Sequence, residues 1–149
     1  MSTEEFQRYL KPAIKGYARM HQRAGNLNAK SALARAQADY RQLLPKGLKT
    51  PGQFLYSIVA EGKAIGMSWF ELKRKQGKRR AFIFDFQLKR SERGKGLGRK
   101  ALRTLEREAS RLGAQIVGLH VFARNQRARA LYETSGYRYT SMHMGKSLR

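Results

Sequence analysis

Apolar side chains recur every three to four positions at Phe6, Leu10, Ala13, Tyr17 and Met20, the stripe of an amphipathic helix. Ser2, with Glu5 three residues on, forms a capping box ahead of it, and Gly25-Asn26 reads as the stop. Pro12 falls inside the stripe and predicts a kink or a split. Leu33, Ala36, Tyr40 and Leu43 repeat the spacing after Asn28 as cap, and this second helix ends before Pro45. The period then shortens. Residues 53–60 and 64–72 read as strands around a Glu61-Gly62 turn, and residues 73–80 as an exposed hairpin tip around Gln76-Gly77. The aromatic run 82–88 suits a buried strand. A helix carrying Ala101, Leu105, Ala109 and Leu112 on its buried stripe follows and stops at Gly113. Residues 115–122 are apolar enough for an interior strand, Asn125 caps a helix reaching about Ser135, and residues 137–144 predict a closing strand. Two helices, three strands joined by hairpin-like turns and a βαβ-like half give an α/β chain with a mixed, mostly antiparallel sheet flanked by helices.

The chain has 149 residues, enough for one domain spanning 1–149 with a real core. It has no cysteine, which excludes disulfides, thiolate metal sites and a cysteine nucleophile. His21, His120 and His143 are not at metal-ligand spacing, so no metal is expected. The N-terminus is polar and no run of about 18 apolar residues occurs, so the chain reads as cytoplasmic, without a membrane partner, as a monomer or homodimer.

Between the aromatic run and the following helix lies Arg93-Gly94-Lys95-Gly96-Leu97-Gly98. Glycines ahead of a helix let backbone approach an anion, and the free N–H groups of a first helical turn point at it. The spacing fits neither a Walker loop nor a dinucleotide fingerprint. It resembles the Gln/Arg-x-x-Gly-x-Gly/Ala signature of the GNAT superfamily of N-acetyltransferases. Downstream, Asn125-Gln126-Arg127-Ala128-Arg129-Ala130-Leu131-Tyr132-Glu133-Thr134-Ser135-Gly136-Tyr137 is similar to that family's second signature. The two occur in family order and cover roughly residues 79 to 144. The resemblance implies a GNAT-like acyl-CoA N-acyltransferase fold, with one departure: the chain lacks the usual first strand and opens at a helix cap.

The same resemblance implies transfer of an acetyl group from acetyl-CoA to a primary amine in a ternary complex. The backbone from Arg93 through Gly94, Lys95, Gly96, Leu97 and Gly98 to Arg99 would take the pyrophosphate, with charge added by Lys95, Arg99 and Lys100. Phe86, Gln87 and Leu88 would pair with the pantetheine arm and place a donor near the thioester oxygen, where charge develops during transfer. Asn125 matches the family's CoA-contacting asparagine and equally fits a plain helix N-cap. Tyr132 matches the general acid that protonates the departing thiolate, a role open to a phenol and closed to phenylalanine; it also fits a tyrosine packed on the sheet. The attacking amine needs a base. Asp85 lies inside an aromatic strand where burial raises its pKa, and Glu71 ends the neighbouring strand. Either carboxylate could instead sit in a structural ion pair.

Charge bears on the acceptor. Lys and Arg number 32 against 10 Asp and Glu, a net +22. They divide as 10, 13 and 9 over residues 1–50, 51–100 and 101–149, so the whole domain is basic, with no separate tail. Such a field repels polycationic amines and favours one carried on or near nucleic acid, such as an aminoacyl-tRNA, a modified DNA base or a nucleic-acid-bound protein. A small-molecule amine acceptor under an incidentally basic surface, and a non-catalytic nucleic-acid-binding module on a CoA fold, are the competing readings.

Overall fold

The computed structural model describes residues 1–149 except 24–27, 147 and 149. Helix α1 (Thr3–Arg23) starts at the expected capping box: the Ser2 N–H donates to Glu5 Oε2 at 2.7 Å and the Glu5 N–H to Ser2 Oγ at 3.2 Å. It runs unbroken through Pro12, so the expected split does not occur. Pro12 lies on the exposed face, where water is free to take the Arg8 carbonyl that the missing N–H leaves unbonded. The expected stop at Gly25-Asn26 lies outside the described residues. Helix α2 (Ala29–Leu43) is capped by Asn28, whose Oδ1 accepts from the Ser31 N–H at 2.9 Å.

Strands β1 (Gln53–Ala60), β2 (Lys63–Lys75) and β3 (Lys78–Leu88) form an antiparallel meander, and β4 (Ile116–Leu119) pairs parallel to β3. The sheet order is β1-β2-β3-β4. Both hairpin turns put two residues at positive φ, Glu61 at 50° with Gly62 at 74° and Gln76 at 52° with Gly77 at 75°. That geometry matches the twist of antiparallel strands. Helix α3 (Leu97–Arg111) connects β3 to β4, and α4 (Gln126–Glu133) follows. Helix α1 is the first element described, and β1 and β4 are the two edge strands of the sheet.

Each face of the sheet carries its own core. Phe6, Tyr40, Leu44, Leu55, Met67 and Trp69 pack beneath α1 and α2, where Ala18, Ala32 and Ala36 bring the two helices close together. Phe70, Ala81, Ile83, Leu102, Leu105 and Ala109 pack beneath α3. Two sequence expectations are corrected. The 115–122 strand shortens to Ile116–Leu119 and, instead of being interior, is half-buried throughout, because it finds a partner only over Arg80 to Ile83 of β3. Residues 137–144 form no strand: Tyr139 is drawn to α4, its hydroxyl bonded to Arg129 Nε at 2.6 Å and to Glu133, while Met142 and Met144 stand 74% and 88% exposed. Among the described residues no helix is long and apolar enough to cross a membrane.

Candidate active site

The central strand carries one extra residue. Trp69 pairs with Asp85 and Phe70 with Ile83, leaving Phe84 as a bulge. Simple alternation would put Asp85 on the α3 face with Ala81 and Ile83. The bulge instead turns two successive residues to the α1 face: Phe84 packs on Trp69, with ring centroids 4.7 Å apart, and Asp85 Oδ2 accepts from the Tyr9 hydroxyl at 2.8 Å. Gln87 follows on that face and donates through Nε2 to the same oxygen at 3.1 Å. Phe86 packs against the α3-side core, and the Leu88 side chain approaches Gly98 at the start of α3.

Just past this bulge the sheet comes apart. Pairing with β4 ends at Ile83, while β3 continues to Leu88. The side of residues 84–88 that faces β4 therefore has no strand partner among the described residues, and Phe86, Gln87 and Leu88 lie on it. A short 3₁₀ turn, Arg90–Glu92, then leads into the glycine loop. Gly94 and Gly96 take φ of 83° and 74°, which L side chains rarely adopt. Gly98 needs no positive φ and packs on Leu131 of α4. Among the described residues, the N–H groups of Gly94, Lys95, Gly96, Leu97, Gly98 and Arg99 have no acceptor. Arg93 is one position too early. Its N–H bonds to the Arg90 carbonyl at 3.3 Å, and its side chain folds back to the Leu88 carbonyl at 2.9 Å, fixing the strand end that the loop leaves. Lys95 pairs with Glu92 at 3.1 Å, whereas Arg99 and Lys100 are exposed and, among the described residues, have no acidic partner. Free donors, left-handed glycines and exposed cations are together the features that a phosphate-bearing anion requires.

Tyr132 projects from α4 into the α3-side core beside Tyr137, ring centroids 5.4 Å apart. Burial first, then the charge of Asp85, pushes its pKa up to about 12, so it holds its proton at neutral pH. Asp85 itself is raised above the usual carboxylate range by burial, against hydrogen bonds from Tyr9, the Phe86 N–H and Gln87. Among the described residues no cation pairs with it. Glu71 is placed elsewhere: it lies opposite Gln53 and Phe82, accepts from Gln53 Nε2 at 2.8 Å and pairs with Lys73 at 2.7 Å. Gln53 in turn accepts from Trp69 Nε1 at 2.6 Å, so Glu71 completes a buried structural chain. Asp85 and the glycine loop thus lie toward the C-terminal end of β3, with Tyr132 on the α3 side near enough to feel the charge of Asp85, while Glu71 is engaged with Gln53 and Lys73. Asn125 caps α4, its Oδ1 accepting from the Ala128 N–H at 3.2 Å. Among the described residues no group of His, Asp or Glu side chains is arranged to hold a metal ion.

Tyr9 was missed by sequence reasoning. It stands three residues after Phe6 on the buried stripe of α1, and a phenol in such a stripe needs a polar partner. That signal says a partner exists without saying which.

Residues 16–137 match the acetyltransferase (GNAT) family pattern. An uncharacterized N-acetyltransferase of Bacillus subtilis, YycN, is 38% identical over 99% of this chain and 96% of its own length. A second from the same organism, YdgE, is 32% identical over 99% of this chain and 95% of its own. The crystal structure of YycN superposes with a TM-score of 0.93, covering 100% of this chain and 96% of that one.

Proposed function

Because the chain belongs to the GNAT family of acetyltransferases, we propose that it carries an acetyl group from acetyl-CoA to a primary amine by direct attack in a ternary complex. The family establishes the enzyme class; the residue roles rest on the geometry above. The observation that carries them is the run of unpartnered N–H groups from Gly94 to Arg99, set directly after the point where β3 leaves β4. Those donors hold the diphosphate, with Arg99 and Lys100 adding charge and Asn125 closing the loop from α4. The free edge of Phe86, Gln87 and Leu88 lines the pantetheine arm. Acetyl-CoA supplies the acyl group, whose transfer forms a C–N bond and breaks a C–S bond. Asp85 takes the proton that the amine loses, directly or through a water. Tyr132 gives its phenolic proton to the departing sulfur and is reprotonated from solvent.

The acceptor favoured by charge is an amine borne on or near nucleic acid, because a net +22 surface repels polycations. Coenzyme A should raise the thermal midpoint, since a ligand that binds only the folded state stabilises it. Thiol release from acetyl-CoA, screened over small amines, basic peptides, tRNA and DNA, then identifies the acceptor class. No midpoint shift with coenzyme A together with no thiol release over any amine would sink the assignment.

A further inference from the structure

Both carboxylates of α3 are half-buried. Glu108 accepts from the Tyr56 hydroxyl at 3.0 Å and from Arg111 at 2.8 and 2.9 Å, and Glu106 is half-buried on the side of Tyr137. The outer face is left with Arg99, Arg103 and Arg107 at four-residue spacing and Lys100 beside them, all exposed and without an acidic partner among the described residues. Like charges four apart on a helix work against it, so the stripe is no aid to folding. A shallow groove lined by Lys100, Arg103, Thr104, Glu106, Arg107 and Ser110 runs along it.

The stripe does not end with the helix. Arg79 of the β2–β3 hairpin donates to the Leu112 carbonyl at 3.0 Å, which fixes the hairpin against the C-terminal end of α3. That hairpin presents Lys73, Arg74, Lys75 and Lys78, and of these Lys73 alone has an acidic partner among the described residues. With 15 residues, α3 is about 22 Å long, so the cations form a track of at least that length.

We propose that the outer face of α3 and the tip of the β2–β3 hairpin form one docking surface for the phosphate backbone of a nucleic acid. A linear row of arginines matches a linear polyanion, and guanidinium groups bind phosphate through paired donors. A membrane fits less well: among the described residues no exposed large apolar side chain belongs to α3 or to the hairpin tip, so neither element offers one to a bilayer. The surface lies across the sheet from α1 and α2; it shares Arg99 and Lys100 with the proposed diphosphate site, while Arg103, Arg107 and the hairpin cations lie outside that site and carry the docking test.

The test is fluorescence anisotropy with a labelled DNA duplex of about 20 base pairs over a salt series. Arg103→Gln/Arg107→Gln and, separately, Arg74→Gln/Lys75→Gln are compared with Lys11→Gln/Lys15→Gln, which removes the same charge from the exposed side of α1. Each of the first two variants should bind roughly 10-fold or more weakly near 0.1 M salt, with a log–log salt slope shallower by about 1.8. The α1 control should stay within about 3-fold of the parent. Circular dichroism melts confirm folding, and an unchanged midpoint shift with coenzyme A shows that the cosubstrate site is intact. Three results overturn the proposal: either variant behaving like the control, no salt-sensitive DNA binding, or phosphatidylserine vesicles binding more tightly than DNA.

Discussion

Replacing Tyr9 by Phe removes a single hydroxyl and leaves the ring in place. That hydroxyl donates to Asp85 Oδ2 at 2.8 Å inside the α1-side core. A hydrogen bond to a charged group contributes about 1.5–3 kcal/mol, whereas one to a neutral group contributes about 0.5–1.5 kcal/mol. Burial already raises the Asp85 pKa, with the Tyr9 bond opposing it. Losing the bond should raise it further, because the Tyr9 donor favours the charged carboxylate. The consequence for stability has a definite sign. A carboxyl whose folded pKa lies above its unfolded value of about 3.9 contributes stability that is fully present below that value. This contribution is lost as pH rises through the folded pKa. Tyr9→Phe moves the loss upward in pH and deepens it at neutrality. Urea unfolding followed by circular dichroism should therefore show a deficit of roughly 1.5–3 kcal/mol near pH 7.5, and thermal melts a midpoint lower by about 3–12 °C for a domain of this size. The deficit should shrink to about 0.5–1.5 kcal/mol below about pH 3, where Asp85 is largely neutral in both states. Carbon NMR of the Asp85 carboxyl reads the pKa directly. An equal deficit at both pH values, or an unmoved Asp85 titration, would refute the reasoning.

Tyr132→Phe should lower turnover about 100-fold or more at saturating acetyl-CoA while leaving the midpoint shift with coenzyme A unchanged; equal loss of both would remove its acid role. Gly96→Ala forces a side chain into φ 74° at a cost of about 1–2 kcal/mol, although the added methyl meets no atom within 4 Å. Coenzyme A titrations should show weakened binding through a distorted cradle, and full binding would show that the loop does not need this geometry. Glu71→Gln should lower the melting midpoint by breaking the Lys73 pair, yet leave the pH profile of transfer unmoved; a displaced acidic limb would restore Glu71 as a base.

Local chemistry was legible in the sequence, and long-range geometry was not. Ser2, Asn28 and Asn125 each cap the helix assigned to them, and both predicted hairpin turns form, because caps and turns are decided within about four residues. Pro12 misled because a helix tolerates a missing N–H where the orphan carbonyl faces water. The segment 137–144 misled because alternation reports a strand's faces and says nothing about whether an edge is free to receive it. Asp85 marks the limit most clearly. Its value as a base depends on which face it occupies, and a one-residue bulge reversed the face that alternation assigns. Its partner Tyr9 lies 76 residues away, so no local pattern joins them.

That reversal also keeps Asp85 out of reach of the cations. With 32 basic residues against 10 acidic ones, a carboxylate in this chain has every chance of an ion pair. Asp39, Glu71, Glu92, Glu108 and Glu133 each have one. An ion pair would pull Asp85 below the ordinary carboxylate range and make it a poor acceptor of an amine proton. Facing α1, it meets Tyr9 and Gln87, which donate hydrogen bonds without carrying charge, and Phe84 beside it packs on Trp69. The bulge therefore leaves the carboxylate proposed as base with neutral partners in a chain of basic surface. A lysine introduced at Ala13, a half-buried α1 position packed on the same core, tests that separation. It should lower the Asp85 pKa and shift the acidic limb of transfer downward while slowing the reaction, and an unshifted limb would show that Asp85 is not the group being titrated.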